Sequence, residues 1–104
     1  MIIYNVTIKI LKAREQEWVK WMMEEHMPEL MKTGCFEAYH LHNLIQDIED
    51  TEEDGVTYVA QYHCKSLKEY ETYINEHASK MRQAGFDRFG NSFIAFRTLM
   101  KQLV

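Results

Sequence analysis

Proline occurs once, cysteine twice and glycine four times among the 104 residues of this chain. That scarcity excludes collagen-like repeats, Pro/Gly-rich disorder and a disulfide-stapled scaffold. No apolar run approaches the roughly 20 residues that cross a bilayer as a helix. No basic region precedes an apolar one at the N-terminus, so the sequence predicts no signal peptide, no membrane partner and a soluble cytoplasmic protein. Positive charge is also in short supply. Twelve Lys and Arg against sixteen Asp and Glu leave −4, the wrong sign for a dedicated nucleic-acid binder. What is present is ordinary globular usage, 46% hydrophobic and 27% charged, in a length that suits one domain over residues 1–104.

The charge is unevenly spread. Between Thr33 and Cys64 there is no Lys or Arg, and Asp47, Glu49, Asp50, Glu52, Glu53 and Asp54 crowd together. Such a block self-repels and stays hydrated, which reads as an exposed hairpin loop. Asp50 to Gly55 matches the first half of an EF-hand loop. The position of that motif's bidentate Glu is taken by Gln61, and strand patterns flank the segment, so a solvated loop is the better reading. Residues 80–104 carry a net +4, too dilute to track a phosphate backbone. This excess is suited to neutralise the acidic segment of the same chain or of a second copy.

Hydrophobic periodicity divides the chain into elements. Ile2 to Leu11 alternates Tyr4, Val6, Ile8 and Ile10 with Asn5, Thr7 and Lys9, the mark of a half-buried strand. Arg14 to Met31 shifts to a helical period, with Val19, Met22, Met23, His26 and Leu30 on one stripe and Trp21 outside it. Pro28 is expected to kink or end this helix just before it, and Gly34 to terminate it. Phe36 to Leu44 and Val56 to Cys64 read as further strands. Ser66 and Glu69 fit a capping box. The helix behind them places Leu67, Tyr70, Ile74, Ala78 and Met81 inward and is expected to stop near Gly85. Phe86 to Gly90 then reads as a connector and Ser92 to Met100 as the last strand.

The order β-α-β-β-α-β predicts a ferredoxin-like α+β fold, a four-stranded antiparallel sheet with both helices on one face. Strand parity sends Tyr4, Val6, Ile8, Tyr39, Leu41, Tyr58, Ala60, Tyr62, Ile94 and Phe96 beneath the helices. It leaves Ile3, Asn5, Thr7, Phe36, Ala38, His40, His42, Val59, Gln61, His63, Phe93, Ala95 and Arg97 on the other face. That set is too apolar for a comfortable free surface and too polar for a dry core. A second copy packed face to face would cover it, so a homodimeric barrel with a polar-dotted interior is expected.

Residues His63-Cys64-Lys65-Ser66 through Tyr70 to Glu76-His77 are similar to the third strand and second helix of the dimeric α/β-barrel superfamily, which includes cofactor-free antibiotic-biosynthesis monooxygenases. More narrowly, Met1 to Thr7, Trp18 to Pro28, Thr33-Gly34-Cys35-Phe36 and Phe89-Gly90 to Thr98 resemble a bacterial family known as domain of unknown function 4286. This resemblance spans almost the whole chain. It implies the fold and the dimer and brings no activity.

Five histidines supply the chemistry. His40 and His42, two apart on a strand, point to one face with His63, and three imidazoles suit zinc. No carboxylate on that face orients them, so no metal is expected. His26 sits in the apolar stripe, where burial favours its neutral form. The simpler reading is a structural histidine with both ring nitrogens satisfied. The functional one places it at the mouth of the cleft between helix and sheet, as a proton acceptor or ligand anchor. Asn5 and His77 resemble the pair that flanks the macrocycle in haem-degrading members of the superfamily. The Trp that those proteins carry on the third strand is replaced here by Tyr62, His63 and Cys64. Cys35 and Cys64 read as buried thiols, cross-strand neighbours if paired indices sum to about 99.

The leading functional expectation is a binding or interaction module that dimerises and holds a small molecule, contacted by His26, His42, Gln61, His63 and Arg97, with no cofactor. The alternative is a cofactor-independent monooxygenase- or isomerase-like enzyme in which Asn5, His26, His40, Tyr62 or His77 handles protons. Haem binding is a remote third. The module is favoured because no residue pair combines a base with a visible orienting partner. A closed, polar-lined pocket holding His26 or His40 would favour the enzyme.

Overall fold

A computed structural model describes residues 1–45 and 55–104. The acidic block from Asp47 to Asp54, and with it the EF-hand-like match, lies outside the described residues. Four strands form one antiparallel sheet in the order β2-β3-β1-β4. They are β1 (Ile2–Leu11), β2 (Ala38–Asn43), β3 (Gly55–Cys64) and β4 (Phe93–Lys101). The most apolar and β-branched strand, β1, takes a central place between β3 and β4. The helical layer consists of α1 (Glu15–Trp21), a π turn (Met22–His26), α2 (Met27–Lys32), α3 (Leu67–Glu76) and α4 (Ala78–Phe89). The fold is ferredoxin-like α+β, as the pattern of elements predicts.

Local signals act where the chemistry requires them. The Ser66 hydroxyl accepts the Lys68 backbone N–H at 3.3 Å and meets the Glu69 carboxylate, which closes the expected cap. Gly34 follows α2 at φ +77°, a conformation that costs little only for glycine. Arg14 fastens the start of the helical layer to its far end, donating to Glu17 at 3.1 Å, to Ser92 at 3.1 Å and to the Arg88 carbonyl at 3.2 Å.

Several expectations about faces need correction. Regular α geometry does stop ahead of Pro28, but it does so already at Trp21 and without ending the helical run. It passes into the π turn, in which the Met27 N–H reaches back to the Met22 carbonyl. A widened turn absorbs the ring and the missing N–H that proline brings into a helix. The inward stripe is Trp18, Trp21, Met22, Met27 and Leu30, so Trp21 is buried and Met23 faces solvent. Gly85 does not end the second helix either, because α4 runs on to Phe89; the break falls at His77 instead, between α3 and α4. One glycine costs a helix only about 1 kcal/mol, which burial of Met81 and Phe89 outweighs. Leu67, at the exposed start of α3, is half exposed, and Tyr73 takes the inward place.

The parity of β4 is shifted by one residue. Ile8 pairs with Ala95 and Val6 with Arg97, so Phe93, Ala95 and Arg97 share the helix-covered face. Thr7 pairs with Phe96 and Lys9 with Ile94, which puts Ile94 and Phe96 on the open face. Phe36 precedes β2, so strand parity does not govern it, and its ring packs in the core 4.9 Å from Tyr73 and 5.2 Å from Tyr62. The β2–β3 register pairs Ala38 with His63, so paired indices sum to 101 and Cys35 is no ladder partner of Cys64. Both thiols are free and buried, and burial, with Cys35 nearby, raises Cys64 to about 11.

Candidate functional site

The sheet separates the predicted site residues into two groups. His26, Tyr62 and Arg97 line a cavity of about 60 Å³ between the helices and the covered face. Asn5, His40, His42, Gln61 and His63 lie on the open face. His77 belongs to neither. It marks the break between α3 and α4, its ring 6.4 Å from Tyr73. Asn5 and His77 therefore stand on opposite sides of the sheet and cannot flank one ligand.

The cavity is built by the π turn. In a regular helix residues five apart do not share a face, whereas a π turn closes its hydrogen bond over five residues and brings them one above the other. His26 thus stacks on Trp21, ring centroids 4.4 Å apart and planes within 19°. Trp21 in turn meets the edge of Phe89 at 5.3 Å. Among the described residues neither ring nitrogen of His26 has a hydrogen-bond partner, so the imidazole is held by stacking and not by the satisfied polar contacts expected of a structural histidine. Burial, helped by the positive charge of Arg97, lowers His26 to about 4. At neutral pH it is uncharged, one nitrogen a donor and the other an acceptor.

Tyrosines and two arginines complete the lining. The Tyr4 ring contacts Tyr62, Tyr70 and Tyr73 at 5.9, 5.4 and 5.6 Å. Burial holds the Tyr62 and Tyr73 hydroxyls protonated, far above the ordinary tyrosine range. Arg82 donates to the Tyr4 hydroxyl at 3.3 Å. Sequence reasoning missed Trp21, Arg82, Tyr4 and Tyr73 as members of this site. The signal for Trp21 was present in Pro28, whose place inside a helix calls for a widened turn upstream.

The open face carries a polar seam. The Asn5 amide donates to Thr7 and Thr98 at 3.3 Å each and accepts from Gln61 at 3.2 Å, so its donors and acceptor are used within the sheet. His40 lies 6.2 Å from His42 and 5.3 Å from His63, ring to ring. Among the described residues the buried His63 Nε2 has no hydrogen-bond partner. Among the described residues no three His, Cys, Asp or Glu side chains converge on a point that would hold a metal ion. No helix among them is long and apolar enough to cross a membrane.

A family model described as Domain of unknown function (DUF4286) matches residues 1–103. No curated protein matches the chain. Among solved structures the fold is similar to an ethyl tert-butyl ether d (EthD) family protein from Bacillus halodurans, at TM-score 0.67 and 8% identity over 99% of this chain and 100% of that one. It is also similar to a hydroxynitrile lyase from Passiflora edulis, at 0.63 and 9% over 99% and 96%. A dimeric ferredoxin-like protein from an uncultured marine organism aligns at 0.62 and 14% over 99% and 98%. At these identities the likeness is one of fold alone.

Proposed function

The chain belongs to the family described as domain of unknown function (DUF4286), and from that premise we propose that it is a cytoplasmic, homodimeric, single-domain module that binds a small organic molecule in the helix–sheet cavity. The observation that carries this reading is His26, a neutral imidazole with no hydrogen-bond partner among the described residues, stacked on Trp21 at the wall of the cavity. His26 is half-buried and its ring nitrogens are not sealed from solvent, so a ligand group entering the cavity meets a donor and an acceptor that no protein group among the described residues engages. About 60 Å³ admits a compact molecule and no macrocycle, which weighs against haem.

A pocket holding His26 is also what an enzyme needs first, and a hydroxynitrile lyase shares the fold. Catalysis asks for more. A general base works best with a pKa near the operating pH, and His26 at about 4 is a weak one. No carboxylate among the described residues orients its ring. Binding is therefore favoured over proton transfer.

Support for the dimer comes from the other face. Ile94 and Phe96 are 58% and 66% exposed there on the edge strand β4, and on β3 the buried His63 Nε2 has no hydrogen-bond partner among the described residues. A second copy would cover the apolar pair and exclude water from the imidazole seam. His42, Gln61 and His63 would then line that interface and not the ligand cavity.

Titration with butyramide and butyrate, two compact probes, tests the binding reading. Saturable shifts of the Trp21 indole and His26 imidazole resonances are expected. A flat response of both resonances to both probes would overturn it.

A further inference from the structure

Two guanidinium groups reach the cavity from different elements, Arg82 from α4 and Arg97 from β4. Both side chains are exposed, which puts them where the cavity meets solvent. Both act electrostatically on Tyr70 and on Tyr73, and Arg97 acts on His26 as well, so the two charges converge on one mouth. Among the described residues neither Arg82 nor Arg97 meets a carboxylate within ion-pair distance, and no Asp or Glu lines the cavity. By contrast Arg14 and Arg88, outside the cavity, both meet Glu17. Positive charge is thus uncompensated at this mouth, whereas the other two arginines of the chain are paired.

Behind the mouth the lining turns apolar, with Met22, Leu30, Phe89 and Phe93 around the stacked His26 and Trp21. An anion entering here meets charge-assisted donors at one end and hydrocarbon at the other. A second negative charge carried inward would lie among apolar groups with no cation to meet it, which disfavours dianions. The volume limits the inward part to a few non-hydrogen atoms.

The geometry points to a short-chain monocarboxylate as the ligand of this cavity, its carboxylate held at the mouth by Arg82 and Arg97 and its hydrocarbon part packed beneath Trp21. This rests on the cavity being a binding site, as proposed above, and adds the chemical class of what it takes. A ring nitrogen of His26 accepts a hydrogen bond from, or donates one to, a polar substituent on the inward part, which selects among acids of one size.

Butyrate and its neutral isostere butyramide separate the class from the site, because they share shape and differ in charge. In two-dimensional NMR titrations of the whole chain at low salt, both should shift the Trp21 and His26 signals, butyrate with about tenfold higher affinity. Arg97→Gln should weaken butyrate toward the affinity of butyramide and so narrow the difference between the two probes. Equal affinities of the two probes, or an Arg97→Gln protein that binds butyrate as the wild type does, would overturn the carboxylate assignment and leave the cavity a binding site for neutral molecules. Silence of both probes would overturn the assignment together with the binding reading.

Discussion

His26 combines three properties that burial alone makes compatible: a polar ring, an aromatic neighbour and no charge. Stacking on Trp21 fixes its plane, and desolvation together with Arg97 keeps it neutral down to about pH 4. The folded chain therefore binds fewer protons at this site than the unfolded chain, in which a histidine titrates near 6.5. Its neutral form supports the fold fully above 6.5, and that support is lost as pH falls from 6.5 toward 4, up to roughly 3 kcal/mol. Thermal melts of wild type and His26→Gln at a series of pH values read this directly. The difference between their melting temperatures should change across that window and stay constant above it. A difference that does not vary with pH would show that the imidazole titrates normally and is not desolvated. Candidate histidines were legible from the sequence, since residue type and strand spacing are local. Their partners were not, because contact depends on how separate elements pack.

At the scale of elements, the π turn decides the site. Pro28 at the start of α2 and the widened turn before it are two sides of one accommodation. Pro28→Ala restores a backbone donor and removes the clash with the preceding turn. The helix is then expected to close into regular α geometry, turning His26 away from Trp21 and returning its pKa toward 6.5, as a proton NMR titration would report. An unchanged value near 4 would mean that packing of Trp21, and not the proline, holds the turn open. Gly85 gives the complementary case within α4. A methyl placed there would lie 3.6 Å from Phe93 and 3.9 Å from Trp21, ordinary contacts, at a helical position where Ala outperforms Gly. Gly85→Ala should stabilise by about 0.5–1 kcal/mol, a rise of a few degrees in melting temperature. A lower melting temperature would show that the cavity wall has no room. Strands and helix starts were readable because alternation and capping are short-range signals. The stripe of the first helix was misjudged by one residue, since a regular 100° step does not describe a π turn.

For the whole molecule, the sheet is a partition with a different chemistry on each side. Toward the helices it presents tyrosines and Arg97 to a cavity that His26 lines from the helical side; away from them it presents Asn5, three histidines, Ile94 and Phe96. The proposed homodimer would cover the apolar part of this open face. Light scattering at micromolar concentration should give twice the 12.5 kDa chain mass. Phe96→Asp, which places a charge at the centre of the apolar patch, should reduce that to a single chain that still melts cooperatively. A single-chain mass for the wild type would remove the barrel and return the histidine seam to solvent.

Sequence by itself determined the order of elements, the ferredoxin-like topology and the family, because periodicity, turn residues and right-handed crossovers leave few arrangements for a chain this short. It also placed His26 on an inward-facing helix. Strand parity likewise placed Asn5 and the strand histidines on the open face; tertiary structure alone decided that Arg97 turns to the covered face and shares a chamber with His26. The physical reason is parity: a shift of one residue in β4 and one wide turn in a helix exchange faces at no cost to local propensity, and only the packing of distant side chains chooses between them.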